Sequence, residues 1–150
     1  MKVICLDPGG TTGYCIGKIE NGRLMYTPLQ AEFDHYGLWE FLSGYNPEWI
    51  ICESFEFRNR VRPGTELISA ELIGVVRLYC QLTEIPLSLQ NASTAGAGGK
   101  KGPFNNLILK DKGLYEAAKP HAMDASRHLL VWWMFGRGFE FNKTKTYLKV

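Results

Sequence analysis

The feature that most constrains this chain is its opening, where Val3-Ile4-Cys5-Leu6 contains no polar residue and runs straight into Asp7-Pro8-Gly9-Gly10. An uninterrupted apolar run of strand length suits a central strand buried on both faces. Asp-Pro-Gly-Gly then stops it at a turn. A chain that begins this way has to build a sheet covered by helices on both sides, with an acid at the end of its middle strand. Its 150 residues, 45% of them hydrophobic, supply one core and one domain. That domain is expected over 1–150, with the core at about 3–135 and a basic tail over 136–150 that carries Lys143, Lys145 and Lys149.

The remaining elements follow from periodicity and punctuation. Tyr14 to Ile19 and Leu24 to Ala31 read as strands, and the Asn21-Gly22 step between them favours a tight hairpin. The first three strands therefore form an antiparallel meander. Asp34 is placed to cap a helix whose Leu38, Phe41, Leu42 and Tyr45 fall at helical spacing. Trp49-Ile50-Ile51-Cys52 is a fourth, buried strand that ends at Glu53. Arg58 to Arg62 reads as a basic loop, Pro63-Gly64-Thr65 opens a long helix to about Glu84, and Pro86 to Leu89 is a fifth strand. Asn91 to Pro103, rich in Gly, Ala, Ser and Lys, predicts a mobile loop. Phe104 to Leu109 predicts a short helix, and Pro120 introduces a last one from His121 to Phe135. Hairpin strands followed by alternating strands and helices indicate an α/β domain with a five-stranded mixed sheet flanked by helices.

Two acids close apolar strands, Asp7 after the first and Glu53 after the fourth. Desolvating a lone carboxylate is costly unless a cation or hydrogen-bond donors meet it. Side-chain parity puts Val3, Cys5 and Asp7 on one face of their strand, and Ile51 and Glu53 on one face of theirs. If the two strands are parallel neighbours, the carboxylates end side by side. A third acid, Asp124, lies three residues after His121 on one face of the last helix. The same face continues through His128, Val131, Trp132 and Phe135, so its lower part packs on the sheet while its first turn presents His121 and Asp124 near the strand ends. Such a ligand set suits a pair of hard divalent cations, roughly 4 Å apart, of the kind used in phosphodiester hydrolysis.

Leu6-Asp7-Pro8-Gly9-Gly10-Thr11-Thr12-Gly13-Tyr14 resembles the opening motif of RuvC-type Holliday junction resolvases. Ile51-Cys52-Glu53-Ser54-Phe55 resembles the second acidic motif of that family, and His121-Ala122-Met123-Asp124-Ala125 its last. Order and spacing match over roughly residues 3 to 135, and the compact shape is similar to phage-encoded members. The resemblance implies an RNase H-like fold, a homodimer, two Mg²⁺ or Mn²⁺ ions per site and paired nicks in branched DNA. It implies metal-binding, catalytic roles for Asp7, Glu53 and Asp124, with His121 as fourth ligand or water-activating partner. The segment from Asn91 to Lys119 departs from the family pattern, and Lys100, Lys101, Lys110 and Lys112 are the candidates for its basic residues.

Each motif has an ordinary structural explanation when taken singly. Asp-Pro-Gly is a common turn, Glu53 a solvated strand end, and an acid in a first helical turn suits the helix dipole. All three together, in family order, favour the catalytic reading. His128 reads as a hydrogen-bonded core histidine, with a lesser prospect of orienting Asp124. His35 lies on a helix surface and is assigned nothing. Phe55 and Phe57, followed by Arg58, Arg60 and Arg62, suit base stacking and phosphate contacts beside the acids, against the plain alternative of a solvated loop. Lys100 and Lys101 are further candidates for backbone contacts. The stretch from Gly96 to Gly102 lacks the GxxxxGK[ST] pattern of a phosphate-binding loop.

Cys5, Cys15, Cys52 and Cys80 have no paired spacing, which argues against a disulfide framework or a zinc site. Neither a secretory pattern nor a bilayer-length apolar run is present, so a soluble, cytoplasmic protein without membrane contact is expected, in the host cytoplasm if phage-encoded. A formal charge of +2 does not by itself demand a nucleic-acid partner. The long helix carries an apolar arc wider than a sheet-covering helix needs: Ile68, Leu72, Val75, Val76, Tyr79 and Leu82, flanked by Leu67, Ile73, Leu78 and Cys80. Burial under another helix explains part of it, and a two-fold contact between copies the rest. Three rivals stand beside the resolvase reading. An actin-like ATPase shares the Asp7, Gly9, Thr11 spacing but needs two such domains. An RNA-processing nuclease of the same fold would keep all the acids. A non-catalytic nucleic-acid-binding module should have lost at least one of them.

Overall fold

A computed structural model describes residues 1–55, 67–96, 99–136 and 139–140. The chain runs β1 (Lys2–Asp7), β2 (Thr12–Glu20), β3 (Arg23–Ala31), α1 (His35–Tyr45), β4 (Trp49–Ser54), α2 (Ile68–Thr83), β5 (Leu87–Asn91), α3 (Ala92–Ala95), α4 (Asn106–Asp111), α5 (Pro120–Phe135) and β6 (Phe139–Glu140). The sheet order is β3-β2-β1-β4-β5-β6. β1, β2 and β3 pair antiparallel, β1, β4 and β5 pair parallel, and the two-residue β6 adds an antiparallel edge to the five expected strands. Asn21 and Gly22 both take positive φ at the hairpin, as a tight turn between strands of right-handed twist requires.

Side-chain parity sorts the core into two layers. Ile4, Leu6, Ile50, Cys52, Leu87 and Leu89 pack with Leu38 and Leu42 of α1 and with Leu72, Val76 and Tyr79 of α2. On the opposite face Val3, Cys5, Cys15 and Ile51 pack with Ala125 and Leu129 of α5. Because β1 is covered on both faces, Val3 to Leu6 are fully buried, which is why that run is wholly apolar. Truncating Leu129 to Ala would cost about 2–5 kcal/mol. Among the described residues no helix is long and apolar enough to cross a membrane.

Two elements differ from the expectations, while the expected start of the long helix at Pro63-Gly64-Thr65 lies outside the described residues, within which α2 begins at Ile68. The glycine-rich segment is structured where described: Asn91 leads into α3, Gly99 N–H donates to Gly96 O at 3.0 Å, and Asn106 N–H donates to Gly99 O at 3.1 Å. The short helix starts two residues later than expected, because the Asn105 side chain accepts from Ile108 N–H at 3.1 Å and so caps it.

Candidate active site

The face shared with α5 carries the acids. β1 and β4 are parallel neighbours with Cys5 opposite Ile51 and Leu6 opposite Cys52, so Asp7 and Glu53 stand one step beyond the last of these pairs. The turn after Asp7 is closed by Thr12, whose buried hydroxyl donates to Gly9 O at 3.2 Å. The Asp7 side chain is only 14% exposed. Burial, then the charges of Glu53 and Asp124, push its carboxyl up to about 8. β1, β4 and α5 thus bring Glu53 and Asp124 into electrostatic range of Asp7.

Two of the acids are held by buried donors on α5. Arg127 Nη1 donates to Asp124 Oδ1 at 2.6 Å, its Nε donates to Phe104 O at 3.1 Å, and its Nη2 donates to Asn106 Oδ1. His128, fully buried, sets Nε2 2.7 Å from Glu53 Oε2 and Nδ1 3.0 Å from Gln90 Oε1. The Gln90 amide nitrogen donates to His128 O at 3.2 Å, so one amide meets both the ring and the backbone of the same residue.

His128 is the hydrogen-bonded core histidine expected; only the lesser reading differs, since the acid it meets is Glu53, while Asp124 is held by Arg127. Sequence reasoning missed Arg127 and Gln90. Arg127 is three residues after Asp124 on a helix, a spacing at which such pairs form, but its depth of burial depends on α4 and its preceding loop covering α5 from outside. Gln90 shares its strand face with Ser88, and both are buried.

His121 opens the helix with its side chain 48% exposed and Nδ1 3.7 Å from Asp7 Oδ2, beyond direct hydrogen-bond length. Its position is set by Gly13 on β2, where a Cβ would overlap the carbonyl of His121 and the amide nitrogen of Ala122. Only glycine lets the start of α5 approach so closely.

The expected nucleic-acid contacts are partly placed. Lys100 and Lys101 are exposed on the turn before α4. Lys110 lies with Nζ 5.0 Å from the centre of the Tyr115 ring, and Lys112 is exposed at the end of α4. Phe55 is partly buried and packs against the core beneath α1 and α2. Phe57, Arg58, Arg60 and Arg62 lie outside the described residues.

The donor chemistry fits Mg²⁺ or Mn²⁺, since Asp7, Glu53 and Asp124 offer hard oxygen ligands and His121 stands beside them. The raised Asp7 carboxyl fits too, because a cation would offset both the burial that chiefly raises it and the repulsion from Glu53 and Asp124. No three or more His, Cys, Asp or Glu side chains among the described residues already form a metal-holding group, so the acids stand near one another short of a closed cage.

No family model matches the chain, and no curated protein does. Solved structures do. A structure of T. thermophilus RuvC in complex with a Holliday junction substrate superposes with a TM-score of 0.66 at 18% identity, covering 94% of this chain and 100% of that one. A second Thermus thermophilus RuvC structure gives a TM-score of 0.63 at 16% identity with the same coverage. The likeness covers nearly all of the chain, and the chain has the RNase H-like fold of RuvC.

Proposed function

We propose that this chain is a divalent-metal-dependent endonuclease that cuts branched DNA, with four-way junctions as its substrate, and that it acts as a homodimer. The observation that carries the reading is the parallel pairing of β1 with β4, which ends Asp7 and Glu53 side by side with Asp124 of α5 in electrostatic range of the buried Asp7. The likeness to RuvC, seen in one structure with a Holliday junction substrate, supports branched DNA over other phosphodiesters.

Asp7, Glu53 and Asp124 would hold two ions, with His121 as fourth ligand or water-activating partner. When bound, the ions supply an activated water and stabilisation of the leaving oxygen. The chain's own residues prepare the place. The central strand shields Asp7 from water on its buried side, Arg127 and His128 hold the other two acids, and exposed Lys100 and Lys101 stand ready for the phosphate backbone. Leu78 and Leu82 on α2, 51% and 66% exposed, are the apolar residues offered to a second copy.

The test is incubation of end-labelled four-way junction, linear duplex and structured RNA with the protein, in Mg²⁺, Mn²⁺ or EDTA, beside Asp7→Asn. Metal-dependent paired nicks near the branch point that vanish in Asp7→Asn are expected. Cleavage confined to RNA would move the substrate to RNA while keeping the site. Junction binding without cutting in any metal would refute the nuclease.

A further inference from the structure

Within two turns of α5, Asp124 is followed by two consecutive buried polar side chains, Arg127 and His128, and each reaches a different acid. Arg127 is 2% exposed and His128 is fully buried. Neither position is polar for lack of a core. Ala125 and Leu129 beside them belong to the apolar cluster under the sheet. A buried guanidinium–carboxylate pair adds little net stability, because desolvating both charges offsets their attraction. What it does supply is geometry. Asp124 has one oxygen fixed at 2.6 Å by Arg127, and Glu53 has one fixed at 2.7 Å by His128.

Both donors are themselves braced. The Gln90 amide holds the His128 ring at Nδ1 while its nitrogen binds the backbone of the same residue. Arg127 is held at its far side by Phe104 O and Asn106 Oδ1, on the segment that carries Lys100 and Lys101. Acid side chains that converge on an ion are free to turn apart before it arrives. Fixed donors on two of them prevent that at no cost in reorganisation when an ion arrives.

We propose that Arg127 and His128 are positioning residues that hold Asp124 and Glu53 facing Asp7, so that the acidic site is pre-organised for divalent ions, with Arg127 also docking Phe104 and Asn106 onto α5. This rests on the nuclease reading above, but it concerns the acids themselves and is separable from the substrate.

Two titrations decide it. Mn²⁺ binding to the DNA-free protein is followed by calorimetry, and junction cleavage is resolved into kcat and KM, for wild type, Arg127→Lys, His128→Gln, Gln90→Ala and Asn106→Ala. Arg127→Lys keeps the charge but cannot span Asp124, Phe104 O and Asn106 together. Arg127→Lys and His128→Gln are each expected to weaken Mn²⁺ binding and lower kcat by about 10–100-fold. KM for the junction and junction binding in EDTA should stay within about twofold, and raised Mn²⁺ should restore part of the rate. If either substitution prevents folding, Gln90→Ala and Asn106→Ala loosen the same donors from behind and should weaken Mn²⁺ binding by about threefold or more. Folded variants with wild-type Mn²⁺ affinity and kcat would overturn the proposal. If wild type binds Mn²⁺ but cuts nothing, the nuclease reading fails and the calorimetric comparison still decides the positioning role. A wild-type chain that neither binds Mn²⁺ nor cuts overturns both.

Discussion

Gly13 of β2 and His121 of α5 lie in backbone contact, so close that a Cβ on Gly13 would occupy the place of the His121 carbonyl. This contact sets how near the first turn of α5, with His121 and Asp124, comes to the ends of β1 and β4. Gly13→Ala must push that turn outward, because the clash is with backbone and no rotamer change relieves it. Overpacking of this kind costs about 1–3 kcal/mol. A displacement of roughly 1 Å at the acids would lower cleavage by about 100-fold. Thermal unfolding and junction cleavage of Gly13→Ala check both, and a variant matching wild type in both would show that α5 is positioned by something else.

Asp7 makes the metal-free protein pH-sensitive. Its carboxyl is pushed up to about 8 in the folded chain, first by burial and then by Glu53 and Asp124, against about 3.9 in an unfolded one. Between those values the folded state binds more protons than the unfolded state. Stability therefore falls as pH rises from about 4 to about 8, and this loss is complete above the folded value. Denaturant unfolding in EDTA across this range should show the fall in wild type and a flatter profile in Asp7→Asn, which has no proton to lose. Parallel profiles would remove Asp7 as the source.

Ionisation of the same carboxyl should be linked to the metal. A divalent ion requires the carboxylate, so Mn²⁺ binding below about pH 8 should release close to one proton from Asp7 and tighten as pH rises. Calorimetry in buffers of different ionisation enthalpy measures the release. Affinity independent of pH between 6 and 8 would speak against Asp7 as a ligand.

The acids should matter for cutting far more than for binding DNA. Asp7→Asn, Glu53→Gln and Asp124→Asn are each expected to lower cleavage by about 100-fold or more. Junction affinity in EDTA should hold steady or rise, since each removes a negative charge facing phosphates. Gel-shift and cleavage assays on the same preparations separate the two effects.

Leu78 and Leu82 test the assembly. Burying each leucine contributes about 1.5–3 kcal/mol. Replacing both with Glu should raise a dimer dissociation constant by about 100-fold or more. Sedimentation should then show monomer at concentrations where wild type is dimeric. The folding transition should change little, because both side chains face outward.

Much of this protein was legible in its residues. The apolar run Val3 to Leu6 announced a doubly covered strand, and parity put Asp7 with Val3 and Cys5 on the face that α5 covers. Asn21-Gly22 specified the hairpin, Pro120 the start of α5, and the three-residue step from His121 to Asp124 their common side. These are local properties, set by periodicity and turn chemistry within a few residues. What the sequence could not disclose depends on which surfaces meet. The pairing of β1 with β4 brings Asp7 beside Glu53, across 46 positions of chain. His128 reaches back 75 positions to Glu53 and leaves Asp124 to Arg127, because β4 and β5 lie under that turn of α5. Phe104 and Asn106, just beyond the glycine-rich segment whose composition reads as a loose loop, are held by a guanidinium that also holds an acid. A hydrogen bond between distant residues is decided by the packing of the elements that carry them, and periodicity records only which face each side chain takes.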